Sequence, residues 1–233
     1  MLDGVPRSTS AHSSHDFETE LRELRAHLLA MGARCERAFA LACEGFLQGA
    51  AETVGDVEDL DVQIDQDELR IHALILRILA LRQPVADDLR FLATALRLIT
   101  DLERIGDEAV NIAERTVGED GKTKALVSGE LSKMVLDVRD MLHGAIDAFV
   151  EWDAEEAERV LGCDDAVDDR CAAIMSTMKT HMSEHVSEIQ SGLRVIRVVK
   201  YLERIADHAT NVAEQAIFMI RGEDVRHGQK RVS

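Results

Sequence analysis

The chain has 233 residues, 46% of them hydrophobic, with two prolines, one tryptophan and one tyrosine. This composition suits long helices and is poor for a sheet, and the length allows one large or two small domains. A formal net charge of −17 argues against nucleic acid as a partner, because phosphate contacts need a basic surface, and it suits cations or a partner with a basic face.

Residues 1–15, MLDGVPRSTSAHSSH, have no apolar signal core and read as a disordered tail. Phe17, Leu21, Leu24, Leu28, Met31, Cys35 and Ala38 then alternate spacings of four and three, which predicts a first helix with a bundle seam. A second helix is predicted from about Ala51 to Arg82. Pro84 suits the first turn of a third helix, where its missing N–H does no harm, and GEDG near Gly118 is a stop. Residues 118–123 read as a linker. Leu131, Met134, Val138, Met141, Ala145 and Phe149 form the seam of a fourth helix. Asp153 with Glu156 looks like an N-cap and capping box for a fifth, and Ser187 with Gln190 repeats that signal for a sixth ending near Gly222. Residues 222–233 are a polar tail. The expected fold is all-α: two tandem, sequence-related three-helix bundles, repeat 1 over 16–117 and repeat 2 over 124–221.

The longest apolar candidate, IHALILRILAL, is interrupted by Arg77 and falls well short of the ~20 residues that span a bilayer, so no membrane insertion is expected. The four cysteines, at 35, 43, 163 and 171, form no CxxC pair. They read as reduced core residues of a cytoplasmic protein.

The chain contains one conspicuous internal repeat. Leu102–Glu114 reads LERIGDEAVNIAE and Leu202–Glu214 reads LERIADHATNVAE, identical at nine of thirteen positions. A period of 100 residues is too long for a solenoid and marks a duplicated domain-sized unit. Each copy spaces Glu103, Asp107 and Asn111, or Glu203, Asp207 and Asn211, four apart on one helical stripe. On a helical wheel that stripe lies away from the apolar positions Leu102, Ile105, Ala109 and Ile112, so it belongs on the outside or edge of the bundle.

The preceding helix of each half carries its own pair, Asp61 with Asp65 and Asp164 with Asp168. Asp65 lies 18 residues before Gln83 and Glu103 lies 20 after it; Asp168 lies 17 before His185 and Glu203 lies 18 after it. In antiparallel hairpins turning at Gln83 and His185, each half therefore gathers four carboxylates at one level. Such convergence destabilises a bundle unless something compensates it. No Lys or Arg occurs between Ala38 and Leu69, and a bound multivalent cation is the economical compensation. All-oxygen ligands suit Mg²⁺, Mn²⁺, Ca²⁺ or iron and disfavour a tetrahedral structural zinc site. A solvated acidic face explains one such motif more simply, but four motifs in matched positions favour the cation. Glu68 and His72 continue the first stripe, yet Cys171 and Met175 stand at the corresponding places, so both read as surface residues. His208 follows Asp207 where the first repeat has Glu108, which argues against a ligand role. Trp152 and Phe149 read as packing. Arg104 and Arg204 fit equally an anion beside the metal or ion pairs with Asp107 and Asp207.

No Glu has a His three residues later, as di-iron bundles require, and no phosphate loop, nucleophile elbow or Ser/His/Asp signature is present. No enzymatic activity is expected. RQPVADDLR (Arg82–Arg90), LERIGDEAVNIAE and YLERIADHATNVAE resemble the hallmark segments of the PhoU family, and the resemblance runs from about Phe17 to Arg221. It implies that Asp61, Asp65, Glu103 and Asp107, and Asp164, Asp168, Glu203 and Asp207, are the metal-cluster sites of that family, with the DD at 164–165 leaving the register open by one residue. The metal could be iron, Mn, Mg or Zn. The resemblance also implies a cytoplasmic adaptor, commonly a homodimer, between the phosphate ABC transporter, through its ATPase subunit, and a phosphate-sensing histidine kinase, which holds the starvation response off when phosphate is plentiful. Two alternatives are a cation-binding or storage protein without a transporter partner and a metal-free helical adaptor.

Overall fold

The seam residues Leu24, Leu28, Met31, Cys35 and Ala38 are all at most 2% exposed and lie on one side of a helix that runs Thr9–Gln48 (α1). The computed structural model describes residues 9–117, 123, 126 and 129–225. Of the tail expected over 1–15, residues 1–8 lie outside this set and residues 9–15 are already helical. Helix α2 (Thr53–Arg82) and α3 (Ala86–Glu114) complete a three-helix bundle with α1. Gln83 adopts a left-handed conformation (φ 49°) that stops α2, and Val85 is extended before α3. Pro84 thus sits in the turn rather than inside the third helix. Helix α3 ends at Glu114, and 115–117 form a turn. The expected linker at 118–123, apart from residue 123, lies outside the described residues.

The second bundle comprises α4 (Gly129–Glu151), α5 (Ala154–Leu161), α6 (Asp164–Glu184) and α7 (Ile189–Arg221). Every residue of the predicted fourth seam is buried. The expected fifth helix is broken at Gly162–Cys163, where the Cys163 N–H donates to Val160 O at 3.0 Å in a tighter turn. The Asp153 carboxylate caps α5 by accepting from the N–H groups of Glu155 and Glu156 at 2.9 and 3.0 Å. Glu156 does not return a bond to the cap but pairs with Arg159. Ser187 is not an N-cap: Val186–Glu188 is a 3₁₀ turn, and α7 starts at Ile189 without a side-chain cap. Gly222, with φ 72°, ends α7 as the sequence indicates, and residues beyond 225 lie outside the description. Cys35, Cys43 and Cys171 are buried, and burial pushes their thiols up; Cys163, at the helix break, is exposed instead. Phe149 is buried, and Trp152 packs on Phe91 with ring centres 5.9 Å apart.

The two halves share one apolar core, and the main junction is α3 against α7. Leu102, Ile105, Ala109 and Ile112 are fully buried, as are Leu202, Ile205, Ala209 and Val212. The edge of this junction is polar. Asp101 accepts from His208 Nδ1 at 2.9 Å, Asn211 Nδ2 at 3.3 Å and Gln215 Nε2 at 2.7 Å, and Arg204 crosses to Glu108 at 3.1 Å. Replacing Asp101 by Ala leaves three donors without their acceptor and is expected to cost about 1.5–3 kcal/mol. Thermal unfolding checks this, with Leu81→Ala, at a position 68% exposed, as the neutral control. Equal midpoints for the two variants would contradict the role of Asp101.

Candidate metal centres

Helix α3 touches α1, α2 and α7, so little of its circumference remains free. Glu103 and Asp107 emerge half-buried along its edge beside α2. The hairpin register brings the predicted partners to them. Burial, then Asp65, then Asp107, push the Asp61 carboxyl up from 3.8 to about 6. Glu103 is raised by burial and by Asp107, Glu68 and Asp65, against the lowering effect of Arg104. Asp61 and Glu103 therefore each feel both Asp65 and Asp107. Glu68, expected as a bystander, belongs to the same electrostatic neighbourhood.

Asp61 owes its position to a glycine. A Cβ at Gly106 would lie 2.9 Å from Asp61 Oδ1 and 3.1 Å from Ile64 Cδ1. That oxygen is buried and has no hydrogen-bond partner. An unpartnered buried carboxylate oxygen costs free energy unless a proton or a cation meets it.

The second repeat reproduces the arrangement. Asp207 is raised by burial and by Glu203, Asp164 and Asp168, and Asp168 by burial and by Asp164 and Glu203. Of the two residues at 164–165, Asp164 is half-buried and accepts from Thr210 Oγ1 at 3.1 Å, while Asp165 is exposed and also acts on Asp168. Cys171 sits beside this cluster, with Glu203, Asp168 and Asp207 raising its thiol after burial. It holds the place that Glu68 holds in the first cluster, so the second cluster has one carboxylate fewer.

Each cluster also contains a cation. Arg104 spans Glu103 at 3.3 Å and Asp107 at 3.1 Å, and Lys200 pairs with Glu203. Arg204 does not imitate Arg104, because it is spent on Glu108 across the junction. Among the described residues no cation pairs with Asp61 or Asp65, and no three His, Cys, Asp or Glu side chains stand close enough to hold an ion as placed. A cation shared by a whole cluster therefore requires Arg104, or Lys200, to release its carboxylates. The donor set, all carboxylate oxygen with one orphaned buried atom, fits a hard cation of the Mg²⁺, Mn²⁺ or iron type. Asn111 and Asn211 leave the stripe: Asn111 donates to Glu108 at 3.2 Å, and Asn211 to Asp101. His208 bonds Asp101, and among the cluster carboxylates it acts on Asp207, whose carboxyl it lowers against the neighbouring acids.

Fold and sites together define a tandem-repeat helical protein that presents two repeat-related carboxylate clusters at its surface. Its relatives are well marked. The family model described as "PhoU domain" matches residues 28–116 and again 131–216. The phosphate-specific transport system accessory protein PhoU homolog of Pseudomonas putida is 39% identical over 230 residues, 97% of this chain and 89% of that one. The corresponding protein of Escherichia coli (strain K12) is 30% identical over 216 residues, 93% of this chain and 90% of that one. The crystal structure of PhoU from Pseudomonas aeruginosa superposes with a TM-score of 0.83 at 36% identity, over 89% of this chain and 100% of that one. The chain belongs to the PhoU family.

A group whose carboxyl is raised on folding stabilises the fold below its unfolded value and loses that contribution as pH rises through the folded value. For Asp61 this window runs from 3.8 to about 6. In chelator-treated protein, Asp61→Asn is expected to gain stability relative to the wild type as pH rises from 4 to 7. Denaturant melts at several pH values measure the difference, and a gap that stays constant would refute it.

Proposed function

We propose that this protein is an accessory regulator of phosphate uptake that holds the phosphate-starvation response off when phosphate is plentiful. It acts in the cytoplasm as a non-enzymatic, metal-binding adaptor between the ATPase subunit of a phosphate ABC transporter and a phosphate-sensing histidine kinase. The observation that carries this reading is family membership over both repeats, with relatives named as accessory proteins of the phosphate-specific transport system. Among the described residues no helix is long and apolar enough to cross a membrane, which suits a protein that reaches a transporter from one side.

The eight carboxylates Asp61, Asp65, Glu103, Asp107, Asp164, Asp168, Glu203 and Asp207 would hold the metal ions. Bound metal neutralises the cluster charge and stiffens the edge where α2 meets α3 and α6 meets α7. A docking face is available nearby. Val62, Leu69 and Leu76, at 54, 70 and 48% exposure, follow one another at heptad spacing along the outside of α2. An apolar stripe of this kind suits a partner helix or a second copy in a homodimer. A metal-free adaptor is the second reading, favoured by the pairing of Arg104 and Lys200 with the cluster carboxylates.

Deleting the gene is expected to switch on phosphate-starvation genes in phosphate-rich medium; unchanged repression would overturn the regulatory reading. A membrane pull-down with the purified protein, with and without chelator, separates the two adaptor readings. Loss of transporter subunits on chelation supports the metal-dependent form, and undiminished capture supports the metal-free one.

A further inference from the structure

The α3–α7 junction ends in two cavities that the internal repeat relates at part of their lining, and they carry opposite charge. One, of about 390 Å³, is lined by Arg97, Thr100, Asp101, Glu214 and Gln215 among others. The other, of about 240 Å³, is lined by Glu114, Arg115, Gln190, Arg194 and Arg197. With an offset of 100 residues, Arg97 corresponds to Arg197 and Glu114 to Glu214. Two exchanges set the arginines: Thr94 becomes Arg194, and Gln215 stands where the first repeat has Arg115. Thr94 is buried and bonds its own helix at Arg90 O, so it offers nothing to a cavity. Asp101, which makes the first cavity acidic, has Tyr201 as its counterpart. The smaller cavity thus lacks a counterpart of Asp101, keeps Glu114, and has two arginines that the larger one lacks.

Only part of the charge in the smaller cavity is spent. Arg115 donates to Glu114 at 2.8 Å and to Asn111 O at 3.3 Å. Among the described residues neither Arg194 nor Arg197 has a carboxylate partner, in a chain with 44 acidic and 27 basic residues. Arg194 is half-buried and comes from the early turns of α7, and Arg115 from the end of α3, so their guanidinium groups approach the cavity from two elements. A guanidinium fork can give two parallel hydrogen bonds to a tetrahedral oxyanion, which suits Arg194 and Arg197, the two arginines here without a carboxylate partner.

We propose that Arg115, Arg194 and Arg197 form a binding site for a multiply charged tetrahedral oxyanion of the phosphate class, either the free ion or a phosphate monoester. The site is separate from the carboxylate clusters and does not depend on the adaptor reading; an anion held there would bridge the two repeats and couple their relative position to its concentration.

Isothermal titration of the full chain in EDTA tests this, since chelation prevents an anion from binding through a metal. Inorganic phosphate and phosphoserine are titrated separately at matched ionic strength. Binding tighter than ~1 mM is expected for at least one of them, weakened about tenfold or more by Arg194→Gln or Arg197→Gln. Arg194→Lys keeps the charge, loses the fork and is expected to fall between. Arg97→Gln, in the acidic counterpart cavity, is expected to leave binding within about twofold. Phosphate alone assigns the site to the free ion, and phosphoserine alone to an esterified group. Thermal midpoints for each variant confirm folding. No binding of either probe, or binding that the Arg194 and Arg197 variants retain while folded, would overturn the proposal.

Discussion

Helix α3 has three neighbours, and its counterpart α7 meets every helix of the second bundle as well as α3. That constraint organises the molecule. A helix packed on three sides has only a narrow strip of free surface, and residues every fourth position along that strip must lie at the seam with one neighbour. Glu103 and Asp107 occupy the strip facing α2; Glu203 and Asp207 occupy the strip facing α6. The carboxylates are therefore held beside one another by the burial of Leu102, Ile105, Ala109 and Ile112 and of their repeat partners. At roughly 1.5–3 kcal/mol per fully buried large side chain, that apolar stripe readily outweighs the repulsion among half-solvated carboxylates.

The duplication keeps the bundle plan, apart from the break at Gly162–Cys163, and is loose in chemistry. Gly106 admits Asp61 to close contact with α3, whereas Ala206 stands at the same place in the second repeat, where Asp164 finds Thr210 instead. Glu68 supplies a fifth carboxylate to the first cluster, and Cys171 replaces it in the second. Arg104 bridges two acids of one cluster, while Arg204 ties the bundles together. Two sites of shared origin thus differ in charge, burial and internal cation. They should differ in metal affinity, with the first cluster, richer in carboxylate and carrying the orphaned Asp61 oxygen, binding a hard cation more strongly.

Much of this was legible in the sequence because the signals were periodic or repeated. Seam spacing gave the helices, and counting residues from Gln83 and His185 placed Asp61 against Asp107 and Asp168 against Glu203. What escaped depended on single local contacts. Pro84 and Ser187 fit helix-start patterns, but the turns around them are set by the left-handed Gln83 and by a 3₁₀ turn at Val186–Glu188. The break at Gly162–Cys163 left no mark in the apolar pattern, because α5 and α6 bury residues in nearly the same register. The Asp101 network joins residues more than 100 positions apart and has no local signature at all. Asn111 and Asn211 shared the carboxylate spacing, yet the twist of a real helix against its neighbours carries the third position of the stripe round to the α3–α7 junction.

The account turns on whether the carboxylate clusters bind metal. The most direct measurement is elemental analysis of the protein purified without chelator or affinity metal, beside Glu103→Ala/Asp107→Ala and a variant lacking all eight cluster carboxylates. Metal in the wild type, reduced in the double variant and absent from the last, is the predicted result. Equal metal content in all three, or none in the wild type, would contradict it and leave the acidic edges as solvated surface.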